Sequence, residues 1–150
     1  MTELLLGVTA LTTGLVAGLF AGFAYAVMPG LRRADDATVV RAMREVNRAI
    51  LNPVFAVLFA GSLLLGIAST VAARDSGGTG WALAGLVTYV ATLAITIGRN
   101  VPLNEALERG ELEPADLRAR FEQPWTLWNL ARTATNVAST ACWITALASL

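Results

Sequence analysis

Trp125, Asn129, Arg132 and Asn136 recur at i, i+4, i+7 and i+11, a spacing that puts all four on one face of an α-helix. Leu127, Trp128, Leu130, Ala131 and Ala134 lie between them and are apolar enough for a bilayer. An arginine inside a membrane span costs about 2.5–3.5 kcal/mol on insertion scales unless it is paired or faces a bundle interior. Flanked by amides, Arg132 is suited to bind or stabilise an anionic oxygen. Trp125 and Trp128 offer aromatic walls for an apolar ligand, and an interfacial aromatic belt is the alternative use of both.

Other chemistries are closed off by composition. The chain has no histidine and one cysteine, Cys142, set in an apolar segment. The commonest metal ligand, general base and haem ligand are therefore absent, and no internal disulfide can form. No metal site and no cofactor are expected. Hydrophobic residues make up 55% of the 150 positions and charged residues 15%, against roughly 25% charged in soluble domains. This is the composition of one integral membrane domain covering 1–150. Zero formal net charge gives no reason to expect a nucleic-acid partner; the expected partner is the lipid bilayer.

The elements that position Arg132 follow from hydropathy and punctuation. Spans are expected near 4–28, 53–73, 81–98 and 125–150, each close to the roughly 20 residues a bilayer requires. The first stops at Met28-Pro29-Gly30. Gly14, Gly18 and Gly22 repeat every fourth residue, a face for close helix approach and for homo-oligomer contact, and Tyr25 continues it. Residues 31–52 read as a short amphipathic helix with Val39, Met43, Val46 and Ile50 on its apolar stripe. Asp35 or Asp36 can cap its start. It lies at the membrane surface with its arginines snorkelling.

Asn52-Pro53 pairs an N-cap with proline at N1 and opens the second span; a continuous helix kinked at Pro53 is the alternative. Residues 74–80 form a turn. Arg99 to Asn104 end the third span, residues 105–123 form a charged connection in which Pro114 starts a short helix, and Pro124 precedes the fourth span. The expected fold is an all-α, up-down four-helix membrane bundle. Nine of the arginines fall in the two long connections and Arg74 alone in the short one. The positive-inside rule then places the connections in the cytoplasm and both termini outside the plasma membrane.

All six asparagines and all five prolines gather toward that cytoplasmic side. Asn47, Asn52, Asn100, Asn104, Asn129 and Asn136 join Trp125 and Trp128 as candidate ligand-binding residues. Arg132, Asn129 and Tyr25 are the candidate catalytic residues. At about 1.5 Å per residue, Arg132 lies roughly 12 Å and Asn136 about 18 Å in from Pro124, with Tyr25 roughly 6 Å in from Pro29. Two readings fit. In one, Arg132 pairs with helix-end carbonyls near Asn100 or Met28 and the amides tie the bundle together. In the other, these residues line a cytoplasm-facing pocket for a small lipophilic aromatic ligand.

Four motifs carry a resemblance: Met28-Pro29-Gly30-Leu31; Ala42-Met43-Arg44-Glu45-Val46-Asn47-Arg48-Ala49-Ile50-Leu51-Asn52-Pro53-Val54-Phe55; Asn100-Val101-Pro102-Leu103-Asn104; and Trp125-Thr126-Leu127-Trp128-Asn129-Leu130-Ala131-Arg132. In order and spacing they resemble the anthrone-oxygenase-like family of small four-helix membrane proteins. The resemblance implies oxygenation of phenolic substrates such as anthrones to quinones with dioxygen and no evident cofactor. A non-enzymatic ligand-binding, transport-accessory or assembly module is the alternative.

Overall fold

A computed structural model describes residues 1–150. The chain is all-α, with five continuous helices: α1 (Thr2–Leu31), α2 (Asp36–Ile50), α3 (Pro53–Ala72), α4 (Thr79–Arg109) and α5 (Pro114–Ala148). α1, α3 and α4 are long and apolar enough to cross a membrane. The protein is therefore a membrane protein.

Two side-chain caps set the boundaries of the second and third helices. Thr38 N–H donates to Asp35 Oδ1 at 2.9 Å and the Thr38 hydroxyl to Oδ2 at 2.7 Å. These bonds, the hydroxyl's first, hold the Asp35 carboxyl below its ordinary range. The cap's contribution is complete above the ordinary carboxylate range and is lost as pH falls through the lowered value. Phe55 N–H donates to Asn52 Oδ1 at 3.0 Å. Leu51 and Asn52 leave the helical region, so α2 and α3 are separate and not one kinked helix.

Three prolines expected at helix ends lie inside helices instead. α1 runs past Pro29 to Leu31, α4 past Pro102 to Arg109, and Pro124 falls within α5, which begins at Pro114. A proline removes one N–H and crowds the carbonyl four residues back. In α1 and α4 the helix widens into a π-turn just before it, at Phe23–Val27 and Thr96–Asn100, and such bulges accommodate the defect without ending the helix. The charged connection shrinks to the break between Arg109 and Pro114.

α5 packs against α1 and α4, α1 against α3, and α3 against α4. α2 lies across the end of this arrangement. It is fastened to the bundle: Arg44 donates to the Leu107 and Gly110 carbonyls at 3.1 and 2.7 Å, and Arg48 pairs with Glu108 at 2.6 Å. Arg118 bonds Glu122, Asp36 and the Arg32 and Ala34 carbonyls, fastening the loop before α2. Met28, Val40, Met43, Leu107, Leu117, Phe121 and Trp125 form the core at this end.

Leu6, Ala73, Ala82, Trp143 and Ala146 form the core at the other end. Here close approach requires glycine. A Cβ on Gly78 would sit 2.5 Å from the Ala146 carbonyl oxygen, and one on Gly85 would sit 2.9 Å from the Trp143 ring. Trp143 is fully buried, whereas Trp81 is exposed. Of the glycine repeat on α1, Gly14 meets the Thr140 methyl at 3.5 Å, while Gly18 and Gly22 face open space.

Between the two cores lies a polar layer. Thr9 and Ser69 share a hydrogen bond at 2.8 Å, as do Thr92 and Thr135, and Ser139 donates to the Gly85 carbonyl at 2.7 Å. Asn136 is fully buried here, and neither atom of its amide has a protein partner. An unsatisfied buried amide costs about 1–3 kcal/mol, and an apolar residue of similar shape removes that cost. Asn136→Leu is therefore expected to raise the unfolding midpoint in detergent, and a lowered midpoint would contradict this account of the layer.

Candidate functional site

The face read from the sequence is the buried face of α5: Trp125, Asn129, Arg132 and Asn136 are all buried. Arg132 is 7% exposed. Its Nε and Nη2 both donate to Asn129 Oδ1, at 3.1 and 3.0 Å. Asn129 Nδ2 in turn donates to the Phe20 carbonyl at 3.1 Å, three residues before the π-turn of α1. The guanidinium stacks over Phe20, 4.0 Å from the ring centroid, and lies 5.4 Å from that of Trp125. No carboxylate pairs with it, and no backbone carbonyl accepts from it. The helix-end pairing weighed from the sequence is thus not formed. Cation–π contacts and one amide dipole offset part of the burial of this charge, but its positive charge stays unneutralised.

Arg132 lines a cavity of about 370 Å³ between the helices. Phe20 and Phe23 of α1 form one wall; Val46, Asn47 and Ile50 of α2 another; Asn104, Glu105 and Glu108 of α4 a third. Trp125 closes it on the α5 side, its Nε1 donating to Asn104 Oδ1 at 2.7 Å. Trp125 is 3% exposed and is no belt residue.

The structure thus brings Arg132, Trp125, Asn104 and Asn47 to one cavity. Asn129 stands behind Arg132 and orients it. Asn100 is buried outside the cavity and donates to the Trp125 carbonyl at 3.3 Å, with its Oδ1 left without a partner. Asn52 is spent on its cap, and Asn136 lies deeper in the polar layer. Trp128 stacks under Arg99 at 4.8 Å and is not in the wall. Tyr25, expected in the site, is not: the residue is 76% exposed and does not line the cavity. Tyr25 does continue the Gly18 and Gly22 side of α1, but that side is open and lies opposite the buried Phe20.

Glu108 escaped the sequence reading. Val101, Asn104, Glu105 and Glu108 sit at i, i+3, i+4 and i+7, a helical face that becomes visible once α4 is known to continue past Pro102. Arg48 holds Glu108 Oε1, and Glu108 Oε2 and Asn47 Nδ2 are buried without partners. No group of three or more His, Cys, Asp or Glu side chains converges anywhere in the chain.

The fold and site together define a helical membrane protein with an unneutralised guanidinium on the wall of an aromatic-lined cavity. The family model for anthrone oxygenase matches residues 41–142, more than half of the chain, and the chain belongs to that family. No curated protein and no solved structure matches it.

Proposed function

We propose that the protein is a multi-pass plasma-membrane enzyme that oxidises a lipophilic phenolic substrate of the anthrone type with dioxygen, needing no further cofactor. In this reading α5 is a fourth span, the chain is an up-down bundle with both termini outside, and the cavity faces the cytoplasmic side. The observation that carries it is Arg132: a buried cation with no carboxylate partner, facing space large enough for a fused-ring ligand.

The chemistry suits such a site. An anthrone loses a proton from its central methylene carbon to give a delocalised anion with charge on oxygen. Arg132 stabilises that oxygen, and the anion is held in the low-dielectric setting where such stabilisation is strongest. Dioxygen takes up the electron pair at carbon as the new C–O bond forms. Proton return gives a hydroperoxide, and loss of water leaves the quinone. One anthrone and one dioxygen thus give one quinone and one water. With Tyr25 turned outward, Glu105 and Glu108 are the cavity's own proton acceptors. Phe20, Phe23 and Trp125 orient the rings.

The test is oxygen uptake and quinone formation by the purified protein in vesicles supplied with an anthrone. Asn129→Asp places a carboxylate against Arg132 and neutralises it internally. It is expected to keep the fold and lower kcat/KM about a hundredfold. Unchanged turnover would remove the proposed role of Arg132. The same assay decides the second reading, a ligand-binding module without turnover, which the outward position of Tyr25 favours: binding without oxygen uptake is its signature.

A further inference from the structure

The cavity wall is also a membrane face. Leu19 lines the cavity yet is 36% exposed, and it lies twelve residues before the end of α1, roughly 18 Å deep at 1.5 Å per residue. That is hydrocarbon depth. Leu51 and Val101 also line the cavity while being 83% and 38% exposed. Phe55 completes this apolar rim.

The opening arises from the way α3 is held. Its far end is bonded to α1, Thr9 to Ser69 at 2.8 Å and Thr2 to the Ala72 carbonyl at 3.3 Å. Its near end has no such bond to α1. No residue from Pro53 to Gly61 is buried, and Ser62 is the first that is. Here α3 meets α1 through ring contacts, such as the edge-on pair Phe20 and Phe59 at 6.3 Å between centroids. The charged edge of the cavity is fastened instead, by Arg48 on Glu108 and by Arg44 on two carbonyls of the α4 end.

We propose that the cavity is loaded from the lipid phase, past the loosely packed first turns of α3, and not from water. Its ligand is a membrane-dissolved lipophile whose oxygen-bearing edge reaches Arg132 while its apolar end stays against Leu19 and Phe55. The inference rests on reading the cavity as a ligand site, and its test separates the two. A hydroxyanthraquinone, which binds but cannot be oxidised as an anthrone is, serves as the probe. It is dissolved in phospholipid vesicles holding the protein, and binding is followed by stopped-flow quenching of tryptophan fluorescence.

The association rate is expected to follow the probe's mole fraction in the bilayer. Leu51→Trp, which crowds the rim, is expected to slow association about tenfold while the dissociation constant moves far less, and Phe55→Ala to accelerate it. A rate set by the aqueous probe concentration, or rates unmoved by both substitutions, would overturn lipid-phase loading even if affinity is intact. Absence of any binding by the unaltered protein would instead overturn the ligand-site reading, and this inference with it.

Discussion

Arg132→Gln is expected to lower kcat/KM for an anthrone by a factor on the order of 10²–10³, the usual cost of losing one preorganised donor to a developing oxyanion. The same substitution is expected to leave the folded state as stable as before or more so. Arg132 is buried, meets one amide oxygen and two ring faces, and has no carboxylate partner. Removing an uncompensated buried charge relieves a desolvation cost. A structural arginine would behave in the opposite way, because its loss would strand its partners. Arg132→Lys is expected to recover only part of the activity, since a point charge lacks the planar fork of donors. Steady-state kinetics paired with unfolding midpoints read both halves of this prediction.

Trp143→Ala is expected to have the largest effect on stability, a loss of about 3–5 kcal/mol. The indole is fully buried at the end of the molecule away from the cavity and is the largest of the fully buried side chains. A Cβ added to Gly66 or Gly85 would press on it at 3.1 or 2.9 Å, and its Nε1 donates to Ser139 Oγ at 3.0 Å. These small residues leave a slot that only the ring fills, so truncation creates a cavity that rigid helix backbones cannot close. The unfolding midpoint should drop steeply, while the affinity of the remaining folded protein for a hydroxyanthraquinone should hold. A parallel loss of affinity would mean that the two ends are coupled.

Much of this was legible in the sequence, for reasons that differ by residue. The buried face of α5 follows from spacing alone, because an unbroken helix preserves the phase that links Trp125 to Asn136. The caps at Asp35 and Asn52 are local hydrogen bonds within three residues, and short-range chemistry decides them. The prolines misled because a proline's effect depends on what precedes it. Pro29 and Pro102 follow π-turns that absorb the lost hydrogen bond, and nothing in Phe23–Val27 or Thr96–Asn100 announces a widened turn. The continuation of α4 past Pro102 brings in Glu108, and Tyr25 is out of the site because the glycine face it continues is open and the buried face of α1 is the one carrying Phe20. Phe20 and Phe23 read as ordinary span residues, and only the packing of α1 on α5 sets a ring under the guanidinium.

Central to the proposed function is that Arg132 binds its ligand as an anion. The direct measurement is a spectrophotometric titration of a hydroxyanthraquinone bound to the protein, whose phenolate absorbs at longer wavelength than the phenol. The bound phenol is expected to ionise at least about one pH unit below the same compound in protein-free vesicles, equivalent to about 1.4 kcal/mol in favour of the anion, and Arg132→Gln is expected to abolish the shift. A bound phenol that ionises at the same pH or higher, or a shift that survives Arg132→Gln, would contradict it.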